Sequence, residues 1–175
     1  AKIKGTPCFS CYARKLQKLR PSVDQGWKAN LAKWQQANKS EWVQAMTFQI
    51  NRYNVDGYHR WFDSGDLQSL EMLRNIIDVA LLTPHIKHWL PTQERGIVEA
   101  YRKQYGQEPS NLVIRVSASK VDAETMPRFA NTSMVFTKHG KPLGKECKAR
   151  TRGNQCGDCR ACWSKEVKVI AYPKH

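Results

Sequence analysis

Tyr58-His59-Arg60-Trp61-Phe62, followed by Asp63-Ser64-Gly65-Asp66 and then residues 67–82, is where the chain changes from helical periodicity to alternating strand and helix. The first five residues are short, aromatic and apolar, the composition of a brief strand, and the next four have the composition of a turn. In residues 67–82, Leu70, Leu73, Ile76, Ile77 and Ala80 recur on one helical face. Asp66 stands where its carboxylate can accept from the free amides of the first turn, so it is the expected N-cap.

Pro84 closes this unit, and the pattern then repeats. Residues 86–90 read as a second strand, 94–105 as a helix closed by Gly106, and 112–117 as a third strand. Residues 134–137 and 167–171 are further strand candidates. Strand and helix alternating at roughly 25-residue intervals argue for parallel βα units. About five strands are too few for a closed eight-stranded barrel. The expected fold is therefore α/β, a partial (β/α) barrel or an open, mostly parallel sheet. Upstream, residues 23–37 carry Trp27, Leu31 and Trp34 at helical spacing, and residues 40–53 repeat the pattern with Trp42, Val43, Met46 and Ile50. That spacing makes the aromatic stripe a core rather than a base-stacking platform.

The length of 175 residues and an apolar content of 41% fit one domain with its own core. Within it, residues 1–20 form a basic segment with the first thiol pair, 21–137 the helices and βα units, and 138–175 a basic cysteine-rich segment with the final strand. No apolar run approaches the roughly 20 residues that span a bilayer, and Ala-Lys-Ile-Lys-Gly at the N-terminus is no secretion signal. A cytoplasmic location, with no membrane partner, is the expectation.

All six cysteines lie in the two terminal segments: Cys8 and Cys11 in one C-x2-C, and Cys147, Cys156, Cys159 and Cys162 in the other segment. Two intervening residues let the chain turn back so that both sulfurs face one centre. Clustered thiols of this kind in a cytosolic chain read as metal ligands rather than disulfides. Cys156, Cys159 and Cys162 form the C-x2-C-x2-C run that reaches three corners of a cubane, with Cys147 or the Cys8 and Cys11 pair for the fourth. An iron-sulfur cluster of the 4Fe-4S type is the expected cofactor, with tetrahedral zinc the alternative. Among the histidines, His139 is the one placed for zinc. No Gly-rich phosphate loop, Ser-His-Asp order or HExxH pattern is present.

The formal net charge is +14, and its distribution follows the cysteines. Residues 1–20 hold six Lys or Arg and no acid, and residues 138–175 hold ten against three acids, which leaves an excess of one positive charge on the 117 residues between. Basic surface of this extent points to a polyanion, most commonly nucleic acid. Arg14, Lys15, Lys18, Arg20, Lys148, Arg150, Arg152 and Arg160 are the candidate contacts. The bases near the thiols also suit the electrostatics of an anionic metal centre.

Cys8-Phe-Ser-Cys11-Tyr12-Ala13-Arg14, the Ser64-Gly65-Asp66 loop after a strand, and a cysteine cluster ending in Cys162-Trp163 resemble the phage gene product 88 family. Those proteins look like relatives of radical S-adenosylmethionine enzymes. The resemblance implies a cluster loop at Cys-Tyr-Ala and a loop for the cofactor's amino group at Ser64-Gly65-Asp66. It also implies a ribose-contacting strand at Ile114-Arg115-Val116-Ser117. Ser64, Gly65, Asp66, Arg115 and Ser117 would then line a pocket for S-adenosylmethionine. The chain departs from that superfamily's C-x3-C-x2-C loop, with Cys8 and Cys11 alone in its place. The functional expectation is an iron-sulfur protein that binds nucleic acid through basic ends gathered at the metal centre. The alternatives are a radical or redox enzyme working at the strand C-terminal rim and a zinc-stabilised nucleic-acid-binding protein.

Overall fold

The computed structural model describes residues 3–174, so Lys2 of the basic first segment lies outside the described residues. A 3-10 turn over Pro7–Ser10 leads into three helices, α1 (Tyr12–Leu19), α2 (Pro21–Gln36) and α3 (Lys39–Tyr53). Pro21 supplies a preset φ at the first position of α2, and Asn38 caps α3 by accepting from the amides of Ser40 and Glu41. Trp34 is buried and meets Trp42 edge to face at 4.9 Å, and Trp42 lies 6.4 Å from Trp61. Trp34 and Trp42 of the stripe are thus core, whereas Trp27 is half-buried outside the core cluster and Leu31 stands exposed.

Six strands follow: β1 (Tyr58–Arg60), β2 (Lys87–Thr92), β3 (Leu112–Ser117), β4 (Thr132–Phe136), β5 (Lys145–Glu146) and β6 (Val169–Pro173). They pair in the order β1-β2-β3-β4-β6-β5, every pair parallel, in an open, curled half-barrel. The expected α/β fold is therefore present, with β5 added at an edge. Helices α4 (Leu70–Leu82) and α5 (Arg95–Tyr105) form the first two crossovers. Their apolar faces cover one side of the sheet, where Leu73, Ile76, Val79 and Val98 pack on Leu90, Leu112, Ile114 and Val116. Parallel strands buried on both faces read as continuous apolar runs, and Leu112-Val113-Ile114 is one.

Two boundaries differ from the sequence expectation. Helix α4 starts at Leu70, not Leu67, because Ser69 is the cap and accepts from the Met72 amide at 3.1 Å. Asp66 is free of capping because it bonds elsewhere. Strand β2 runs through Pro91 to Thr92, although proline cannot donate to a ladder. It is tolerated there because the last β1 pairing is Arg60 with Trp89, so β1 has already ended.

The opposite, concave face is covered by the cysteine-rich stretch between β5 and β6. Trp89 and Ile170 pack there with Ala161 and Cys162, bordered by Cys147, Cys159, Trp163 and Tyr172. Among the described residues no helix is long and apolar enough to cross a membrane.

Candidate metal centre

Cys147 leaves the end of β5 and is anchored by its own amide, which donates to the Ala171 carbonyl of β6 at 2.8 Å. This anchorage depends on Gly144: a Cβ at that position would lie 2.5 Å from the Val169 carbonyl oxygen, and its φ of +73° is in the glycine region. The chain then turns through a 3-10 segment, Ala149–Arg152, and a left-handed Gly153 to reach Cys156 and Cys159. A second 3-10 turn, Ala161–Trp163, presses Cys162 onto the sheet.

The loop is held largely by arginines bonding to backbone carbonyls. Arg152 donates to Cys156 at 3.0 Å, Arg150 to Lys174 at 3.1 Å, and Arg160 to Gly157 and, at 3.2 Å, to Cys159. Arg160 also lies over the Tyr58 ring and 3.6 Å from Asp56. Asn131 returns the chain to β6 through the carbonyls of Lys165 and Val167.

Cys147, Cys156, Cys159 and Cys162 all line one cavity of about 720 Å³, together with Lys145, Lys148 and Arg152. Cys156 is exposed, Cys147 and Cys159 are half-buried, and Cys162 is buried. Burial pushes the Cys162 thiol up to about 11, partly opposed by the Tyr172 hydroxyl 3.3 Å from its sulfur and by the charge of Arg115. Burial also raises Tyr172 well above the ordinary phenol range. Four thiols around one cavity are a donor set that suits a cubane or a tetrahedral ion. Among the described residues, no group of three or more Cys, His, Asp or Glu is arranged to hold a metal ion. His139 is exposed and does not line the cavity.

Cys8 and Cys11 lie elsewhere. The Gln93 side-chain amide, just past β2, is 3.7 Å from the Cys8 sulfur, and the Gly5 carbonyl accepts from Val121, just past β3. Burial, with the neighbouring Cys11 and Asp66, raises the Cys8 thiol above its ordinary range. Neither thiol is among the residues lining the cavity. The six sulfurs are thus divided into a group of four and a pair.

The Ser64-Gly65-Asp66 loop is on the same rim as the pair. Phe62 has a φ of +56° and Gly65 one of +89°, so the loop doubles back sharply. The Asp66 carboxylate ties it to the next loop, accepting from the Thr92 hydroxyl, the Gln93 amide at 2.7 Å and the Leu67 amide at 2.8 Å. Ser64 is half-buried and Gly65 exposed. Ser117 bonds Ser133 at 3.0 Å.

Arg115 is fully buried and is directed to the cysteine loop. Its guanidinium donates to the carbonyls of Cys162 at 2.9 Å, Ala161 at 2.9 Å and Ser164 at 2.7 Å, with Thr132 at 3.5 Å. Sequence reasoning missed that role, and also that of Trp163, whose indole N–H donates to the His59 carbonyl at 2.9 Å. Of the other basic candidates, Lys15, Lys18 and Arg20 are exposed on and just after α1, Lys148 is exposed at the cavity, and Arg14 is also exposed.

Fold and site together define an open parallel α/β half-barrel with a thiol-lined cavity on its concave side. The chain belongs to the Gene product 88 family, whose sequence model matches residues 3–165. No curated protein and no solved structure matches the chain.

Proposed function

We propose that this is an iron-sulfur protein whose Cys147, Cys156, Cys159 and Cys162 hold the cluster, and that its basic terminal segments bind nucleic acid. The observation that carries this reading is the single cavity lined by all four thiols and by Lys145, Lys148 and Arg152. A cavity of about 720 Å³ leaves room for a cluster several ångströms across as well as for one zinc ion, and four thiols match the four irons of a cubane. Exposed Lys15, Lys18, Arg20 and Lys148 offer charge to a phosphate backbone.

The test is anaerobic purification with iron, sulfide and zinc counted, followed by titration of labelled DNA and RNA duplexes and single strands over a salt series. The expected protein is brown with about four irons and four sulfides. Its log affinity should fall steeply against log salt. A colourless protein with one zinc would replace the cluster, and absence of binding at low salt would remove the nucleic-acid part.

One observation favours a second reading. The Cys8 and Cys11 pair lies beside the loop tied by Asp66, as a radical S-adenosylmethionine-like relative would have its cluster loop beside its amino-group loop. Equilibrium dialysis against S-adenosylmethionine tests it, and retention of the cofactor by the reconstituted protein is the result it requires.

A further inference from the structure

Burying a charged side chain without an opposite charge is costly, and folded proteins rarely leave one so. Arg115 is 0% exposed. Among the described residues it makes no ion pair. Its hydrogen bonds all go to backbone carbonyls, of Ala161, Cys162, Ser164 and Thr132. Carbonyl dipoles solvate a guanidinium but carry no net charge, so the positive charge stays uncompensated. Lys145, Lys148 and Arg152, the other cations at the cavity, are exposed and solvated. Arg115 cannot use that remedy. The groups acting on it that can become negative are the Tyr172 hydroxyl and the thiol of Cys162. It holds Cys162 by the backbone, and Cys162 lines the cavity along with Glu146 and Asp158.

We propose that Arg115 is the buried counter-charge of the four-thiol cavity and selects an occupant that is a net anion once its thiolate ligands are counted. The proposal deepens the reading of the cavity as a metal centre and rests on it. A doubly positive core, whether one zinc ion or an oxidised cubane, held by four thiolates has a net negative charge and so meets the requirement. Arg115 touches no metal ligand's sulfur. It acts on the cavity as a positioning residue through its charge, while the carbonyls it gathers fix where that charge sits.

The experiment compares the wild-type chain with Arg115→Gln and Arg115→Lys. Gln keeps an amide donor for the carbonyls without the charge, whereas Lys keeps the charge without the planar fork. Affinity is measured by chelator competition with zinc(II) alone, and cluster content after reconstitution with ferrous iron and sulfide. Unfolding midpoints are recorded with and without metal. Arg115→Gln should bind zinc about tenfold or more weakly, the range over which outer-sphere partners act, while Arg115→Lys stays within about threefold of wild type. The rise in unfolding midpoint on metal addition should shrink in Arg115→Gln and persist in Arg115→Lys. A purely structural pin predicts otherwise: both variants lose stability equally with and without metal, and that result overturns the proposal. Equal loss of affinity in both variants overturns it as well. If Arg115→Gln does not fold, Arg115→Lys alone decides, since loss of metal affinity in a folded, charge-retaining variant is incompatible with the proposal. Wild-type protein that binds neither zinc nor a cluster brings down the metal-centre reading itself, a failure distinct from the others.

Discussion

Lowering the pH should cost this protein stability through one buried histidine, and the amount follows from its surroundings. His88 on β2 is fully buried, with its Nε2 2.8 Å from the Thr83 hydroxyl. That hydroxyl already donates its proton to the Val79 carbonyl at 2.7 Å, so it accepts from His88, which must have its hydrogen on Nε2. Nδ1 then faces the interior with no partner, and protonating it would bury an unpaired N–H. Burial first, then neighbouring His59, whose ring centroid is 5.5 Å away, and His85 hold the imidazole down to about 4. The unfolded chain takes up the proton near the ordinary value of about 6.5. Between these values the unfolded state binds more protons, so stability is complete above about pH 6.5 and falls as the pH drops toward 4. The shift corresponds to about 3 kcal/mol lost between pH 7 and pH 4, at roughly 1.4 kcal/mol per unit. Urea unfolding of wild type and His88→Leu at pH 7, 5.5 and 4 isolates the effect, because contributions from other groups cancel in the difference. The variant should lose less stability over that window, by about 3 kcal/mol. Parallel losses in the two proteins would refute the argument.

Three further substitutions probe the sites. Cys159→Ser should abolish stoichiometric metal or cluster incorporation, read by metal counting, while changing the metal-free unfolding free energy by less than about 1 kcal/mol, because the Cys159 side chain is only half-buried and is nearly isosteric with serine. Asp66→Asn removes the charge that the Thr92 hydroxyl and Gln93 amide bond to, and should cost about 2 to 4 kcal/mol in denaturant unfolding. Gly144→Ala would put a Cβ 2.5 Å from the Val169 carbonyl at a φ of +73°, and should cost about 2 kcal/mol or more. It should also lower metal incorporation by displacing the strand that delivers Cys147, which isolated loss of stability would not do.

The sequence displayed the elements that bury a face. Leu70, Leu73, Ile76, Ile77 and Ala80 share one helical side in the sequence and pack on the sheet. Residues 112–117 form a strand with the expected bounds because parallel strands are apolar throughout. Elements without a buried face left no such trace. Helix α1 buries Ala13 and is otherwise largely polar, and β5 is two exposed residues defined by pairing with β6. The start of α4 was misplaced because Asp66 and Ser69 are both good caps, and only the fold reveals that Asp66 is engaged by Thr92 and Gln93. Arg115 was legible as an unusual residue in an apolar strand. Its partners, Ala161 to Ser164, lie far along the chain, and nothing local announces them.

The division of the thiols follows from the direction of the strands. Because every strand runs parallel, the segments that follow them emerge on one rim. Cys147 follows β5, at one edge of the sheet, while the Asp66 loop and Gln93, which faces Cys8, follow β1 and β2 at the other. Shared topology therefore brings both thiol groups to related positions, yet β3, β4 and β6 separate the strands that position them. The stretch after Cys147 nevertheless crosses between the edges: Arg160 lies over Tyr58, and the Trp163 indole bonds to the His59 carbonyl on β1. On the proposed metal-centre reading, variants that lose the cluster should also loosen β1, which hydrogen exchange of the His59 and Arg60 amides would report. The cysteine loop and the rim loop thus both meet β1 or the residues after it, although the two thiol groups share no lining residue.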